Sequence, residues 1–284
     1  MTQENPLQKY YRQPAIYINL PTKGRYYSAD AYAPTATGEI PVLPMTARDE
    51  LSFRTPDAMM SGQATVDVIR SCIPNVLDPW KLVNYDIDII LLALRIATYG
   101  ETMDITAVVP VVNESMTQSV NLPALLDTVR SITIDDNAVT KQGFRIKFNP
   151  LTYKEITQSQ LLAFEQQKTM SSVSASQMSE EEKNKRFTES FKKLTDVNWS
   201  ILQDSIQQIT TPDGVVVSDK EQINDFLANC NSKIVLEIQE ELGRVRNQAN
   251  FKPLKFKSTE EQIKRGAPVS FDVPLTFDSS NFFG

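Results

Sequence analysis

The chain has 284 residues, 41% hydrophobic and 23% charged, which is ordinary globular chemistry for one large or two smaller domains and excludes wholesale disorder. Its 29 Lys and Arg against 35 Asp and Glu give a net charge of −6, the wrong sign for a general nucleic-acid binder, which needs clustered cations to neutralise phosphate. There is no histidine and there are only two cysteines, so Ser-His-Asp and Cys-His nucleophile pairs and the usual zinc sites are excluded.

Residues 1–37 hold six of the nine tyrosines (Tyr10, Tyr11, Tyr17, Tyr26, Tyr27 and Tyr32) together with Pro6, Pro14, Pro21 and Pro34. Aromatics and prolines without a helical period predict an extended arm with one short strand over 15–20. Such an arm lies on its own body or on a neighbour, and tyrosine suits a neighbour because its ring is apolar and its tip polar. Residues 38–45 read as an edge strand, since Pro41 and Pro44 forbid a central one. Thr46 with Asp49 predicts a capped helix start, and helical spacing continues through 57–72, where Val66, Ile69 and Ile73 share a face. Pro74 and Pro79 break the chain. Residues 84–98 make the clearest buried helix. Ile87, Ile90, Leu91, Leu94 and Thr98 follow the helical period, Ile89, Leu92 and Ile96 extend the apolar surface nearly all round, and Gly100 supplies the stop. Strands over 103–112 and 116–122, turning at Asn113-Glu114-Ser115, predict a hairpin, and 143–148 alternates as a further strand.

Residues 151–168 are amphipathic and helical. Residues 169–186 are rich in Ser, Gln, Glu and Lys and read as a mobile loop or a solvated helical extension. Ser179 with Glu182 is a capping box opening a helix whose stripe holds Phe187, Phe191, Leu194, Ile201, Leu202, Ser205 and Ile209. Thr211-Pro212-Asp213-Gly214 is a turn before a very short strand over 215–217. Ser218 with Glu221 opens one more helix, with a stripe of Ile223, Phe226, Leu227, Cys230, Ile234, Ile238 and Leu242. The tail is strand-like over 254–256 and 269–277. The expected class is α+β: an extended aromatic N-terminal arm (1–37), a mixed core with a buried helix and a β-hairpin (38–140), a mainly helical second half with a mobile loop near 169–186 (141–250), and a β-like C-terminal tail (251–284).

No reaction is named by this sequence. Glycine is scarce, and no Gly-rich motif cradles a phosphate. Asp86 with Asp88 is the first tight acidic pair, and it falls in a helix's first turn, where negative charge complements the dipole, so capping is its expected role. Asp135-Asp136 sits in an expected turn. Two acids facing one cleft would make a carboxylate-based cell-wall hydrolase, but no spacing points to such a pair. Lys183-Asn184-Lys185-Arg186 after Glu180-Glu181-Glu182 reads as a solvated helix face. Cys72 and Cys230 read as buried thiols in a reducing compartment. Phe282 and Phe283 gain nothing in water, so they dock on this chain or insert into a partner. The start of the chain lacks the pattern of a secretory signal, and the longest apolar run, 89–94, is far short of the ~20 residues of a membrane helix. A soluble chain is expected, kept in the cytosol or built there into an assembly released later. The expected catalytic, cofactor and metal residues are none. The expected partner-binding residues are Tyr10, Tyr11, Tyr17, Tyr26, Tyr27, Phe282 and Phe283.

Five stretches, in order, carry a resemblance: Thr46-Ala47-Arg48-Asp49-Glu50; Thr55-Pro56-Asp57-Ala58-Met59-Met60-Ser61-Gly62; Val68-Ile69-Arg70-Ser71-Cys72-Ile73; residues 86–95 with Thr98-Tyr99-Gly100; and the closing Val273-Pro274-Leu275-Thr276-Phe277-Asp278-Ser279-Ser280-Asn281-Phe282-Phe283. The chain resembles the baseplate and baseplate-hub proteins of T-even-like contractile-tailed bacteriophages. The resemblance implies a non-enzymatic structural component of the tail baseplate or its central hub. Such a component touches other tail proteins in a symmetric multi-copy assembly, without nucleic acid, membrane or small-molecule substrate, and is assembled in the host cytoplasm. The alternative it implies is a hub-assembly chaperone absent from the virion. Relatives of this kind carry Cys-x-x-Cys pairs resembling zinc knuckles in the hairpin and before the last strand. Here those places read Val109-Pro110-Val111-Val112 and Lys264-Arg265-Gly266-Ala267, so no metal carries over, and packing by Val109, Val111 and Val112 is expected to replace it.

Overall fold

One helix organises the chain. In the computed structural model, which describes residues 5–53, 61–130, 132–174 and 178–275, α3 (Asn84–Tyr99) buries ten of its sixteen residues. Gly100, at φ +94, ends it, in a backbone region that other residues rarely enter. The head of α3, with Val83 and Tyr85, enters one apolar core, and the remainder, from Ile87 to Ile96, enters another. A helix apolar on most of its surface must be enclosed on most sides, and two cores enclose this one.

The first core gathers around β1 (Ile16–Asn19) and β2 (Glu39–Val42), paired antiparallel with Ile16 opposite Val42. It adds α1 (Ala47–Phe53) and α2 (Gln63–Cys72). As the sequence predicts, Thr46 and Asp49 exchange hydrogen bonds at the start of α1. The hairpin β3 (Thr102–Val108) and β4 (Ser115–Asn121) pairs in unbroken register, and α4 (Leu122–Arg130) follows it directly. The second core holds an antiparallel sheet in the order β5 (Asn137–Val139), β6 (Arg145–Phe148), β7 (Ile206–Thr210), β8 (Val216–Val217). Against it pack α7 (Lys220–Asn229) and α8 (Ser232–Arg246). Between β6 and β7 the chain leaves the sheet in two long antiparallel helices, α5 (Tyr153–Ser174) and α6 (Glu180–Asp204). The tail forms β9 (Leu254–Lys257), α9 (Glu260–Lys264) and β10 (Ser270–Val273), with β9 and β10 paired.

The class is α+β as expected, with several local corrections. From residue 16 onward the N-terminal segment is built into the body rather than extended: Ile18 and Leu20 are core residues, and Tyr32 is buried with them. The segment boundary drawn at 140 runs through a sheet, because Ala138 sits opposite Ile146. Of the two readings of 169–186, a mobile loop or a solvated helical extension, the helical one describes residues 169–174 and 180–186, and Ser179 and Glu182 form the capping box that starts α6. Ile209 belongs to β7, not to the α6 stripe. The last apolar stripe spans two helices, divided at Cys230 and Asn231, where the Asn231 side chain caps α8. The cap of α7 is Asp219, which accepts from Gln222 N, one residue beyond the expected Ser218. Residues 54–60 of the expected helix lie outside the described residues.

Candidate interaction surface

Arg12 fixes the root of the N-terminal arm. Its Nη1 donates to Pro44 O at 2.7 Å and to Asp49 Oδ2 at 3.2 Å. Its Nη2 donates to Ser71 O at 2.6 Å and Ser71 Oγ at 2.8 Å. A planar guanidinium serves several acceptors in one plane with little further loss of freedom. Burial alone would raise the Asp49 carboxyl, but hydrogen bonds from Thr46 and Ser71 and the nearby Arg12 charge outweigh it and hold the group below the usual carboxylate range. One arginine therefore binds the arm to the start of α1 and the end of α2.

Outside that anchor the arm offers apolar surface to solvent. Leu7 is 62% exposed, Tyr10 73%, Tyr11 56% and Tyr17 54%. Lys9 lies over the Tyr10 ring at 5.0 Å, and Asn5 donates to the Tyr11 hydroxyl. Tyr17 is exposed because β1 alternates: Ile18 faces the core and Tyr17, opposite Pro41, faces out. Rings held on a fixed backbone lose little entropy on binding and carry much of an interface's energy.

The structure turns the other two predicted tyrosines inward. Tyr26 donates to Asp136 Oδ2 at 2.9 Å, and Tyr27 donates to Asp86 Oδ2 at 2.6 Å while accepting from Val83 N. Burial, then the facing carboxylate, raises both hydroxyls. These tyrosines fasten residues 20–27 to the body of their own chain. Phe282 and Phe283 lie outside the described residues. Sequence reasoning missed Arg12, whose only signal was a lone cation between Tyr11 and Gln13-Pro14, and it missed exposed Leu7.

The acidic pairs do not converge. Asp86 is not a cap, because Val83 occupies that position. It is a buried carboxylate that accepts from Thr22 N at 3.2 Å and Thr22 Oγ1 at 2.5 Å. Burial pushes it up to about 6, against the hydrogen bonds from Thr22 and Tyr27, and burial alone pushes Asp88 up to about 6. Asp136 faces Tyr26, whereas Asp135 accepts from Asn137. Among the described residues no three Asp, Glu or Cys gather around a point where a metal ion would sit.

The two places where the resemblance implied knuckles are neighbours. Glu114 at the hairpin turn accepts from Arg265 Nη2 at 2.5 Å and from Gln262 Nε2 at 3.4 Å. Their residues carry no thiolate and do not fit a zinc ion. Val109 and Ala267 are buried there, as the packing substitution requires, but Val111 is exposed and held at φ +73.

A family model described as T4 bacteriophage base plate protein matches residues 27–271. Comparison with curated proteins and with solved structures returns no match. The exposed residues Leu7, Tyr10, Tyr11 and Tyr17 precede the matched region. Among the described residues no helix is long and apolar enough to cross a membrane.

Proposed function

Because the chain belongs to the T4 bacteriophage base plate protein family, its role is structural, in the tail of a virion, and we propose that it is a non-enzymatic subunit of the baseplate or its central hub that works by gripping neighbouring tail proteins. The observation that carries this reading is the family match over most of the chain. The arm supports it: Leu7, Tyr10, Tyr11 and Tyr17 present an exposed apolar edge, and the reading assigns Phe282 and Phe283 as a second anchor. Apolar anchors with a polar rim are how such contacts hold.

Particles lacking this protein are expected to show absent or malformed baseplates by negative-stain microscopy. Intact tails with normal baseplates overturn the role. Mass spectrometry of purified virions separates a resident subunit from an assembly chaperone. The subunit is present in fixed ratio to other tail proteins, and the chaperone is missing.

A further inference from the structure

We propose that the hairpin of α5 and α6 is a self-docking surface through which two copies of this chain pair, antiparallel, across a two-fold axis. The inference rests on the tail-subunit reading above and adds the site and the partner. A groove of about 420 Å³ lies along the hairpin. Its α6 wall presents Glu182, Lys185, Arg186, Glu189 and Lys193. Glu182, Arg186, Glu189 and Lys193, spaced four, three and four residues apart, share one stripe of the helix.

The solvated face read over 180–186 holds an ion pair at helical spacing, as the sequence suggested, and the stripe beside it differs. Among the described residues, the one ion pair on α6 joins Lys183 to Glu180. Among the described residues, Arg186, Glu189 and Lys193 have no ion pair and no side-chain hydrogen bond. Glu182 gives Oε2 to the capping box, accepting from Ser179 N and Oγ. The groove also holds Gln166 and Ser190, 6% and 3% exposed.

The charge order selects the occupant. Along the stripe it runs minus, plus, minus, plus, and read backwards it runs plus, minus, plus, minus. In an antiparallel pair centred between Phe187 and Thr188, Glu182 therefore meets Lys193 and Arg186 meets Glu189, each twice. A parallel, in-register pair sets like charge against like. Two-fold contacts require this property, that residue i meets j while j meets i. Helices of 22 and 25 residues extend about 33 and 37 Å, long enough for an interface of standard size. The charges set orientation more than strength, since exposed ion pairs are individually weak.

Analytical ultracentrifugation of the full chain tests the proposal. The native chain is expected to be dimeric. Arg186→Glu with Lys193→Glu, and separately Glu182→Lys with Glu189→Lys, each raise the dissociation constant by about tenfold or more. An equimolar mixture of the two variants restores the dimer. Because Glu182→Lys also removes the capping box, Glu189→Lys alone is a second variant that leaves the helix start intact, and circular dichroism checks that every variant is folded. A native chain that stays monomeric up to about 100 μM, a dimer indifferent to charge reversal, or variants that fail to pair with each other overturn the proposal. A monomeric chain that still assembles into tails sinks this inference alone. A dimer found in no tail sinks the subunit reading alone.

Discussion

The helix at the centre and the helices at the margin differ in what holds them. α3 buries ten of sixteen residues, whereas α5 buries three of 22 and α6 two of 25. α3 owes its stability to apolar area removed from water. The distal hairpin depends on helix propensity, its capping box and a thin seam of Gln166, Val173 and Ser190. The first region specifies the fold. The second is held by few buried side chains.

The sharpest way to break that contrast is to damage the interior. Leu92, fully buried in α3, becomes a cavity in Leu92→Ala, and unfolding free energy measured by denaturant should fall by about 4 kcal/mol. A loss near zero would remove α3 from its central place.

The next effect is pH-dependent. Asp86 and Asp88 each stand at about 6 in the fold, above the roughly 3.9 of an unfolded aspartate. The folded state therefore binds protons more tightly, and these groups' contribution is full below about pH 4 and lost as pH rises through about 6. For fully buried Asp86 the loss is up to about 3 kcal/mol. Denaturation at stepped pH should show the native chain losing stability across that window, with a shallower slope in Asp86→Asn. An unchanged slope would mean that Asp86 does not titrate there.

Arg12→Ala tests the anchor of the arm. It should lower stability by about 2 kcal/mol, from lost charge-assisted hydrogen bonds, and speed protease cleavage near residue 12. Unaltered cleavage would show that the arm is held elsewhere. The smallest effect is expected at Phe191, 60% exposed on α6, where Phe191→Ala should change stability by no more than about 0.5 kcal/mol. A large loss there would show that the hairpin is part of the core.

The sequence was most readable where local signals agree with tertiary demand. α3, its Gly100 stop, the β3–β4 hairpin and the cap pairs Thr46 with Asp49 and Ser179 with Glu182 all combine a period with terminal chemistry. It was least readable where a period continues across a change of element. Leu202, Ser205 and Ile209 keep helical spacing, yet after Asp204 the backbone turns to pair with β6. The stripe around Cys230 stays in phase across the break between α7 and α8. α4 was hidden because Leu122 extends an apolar strand pattern. Its signal was Asn121 ahead of Pro123, and the Asn121 side chain does cap Ala124 N. The Asp86 contacts join residues far apart in sequence, which no spacing announces, and the unpaired stripe on α6 reads the same as a paired one until the side chains are placed.

Hydrogen exchange, compared between the free chain and purified baseplates, addresses the central claim most directly. In the free chain, α3 should exchange slowly and the distal ends of α5 and α6 quickly. In the baseplate, the hairpin and residues 5–19 should become protected while α3 changes little. Equal protection of the hairpin and arm in both states would contradict the claim that these parts exist to meet other proteins.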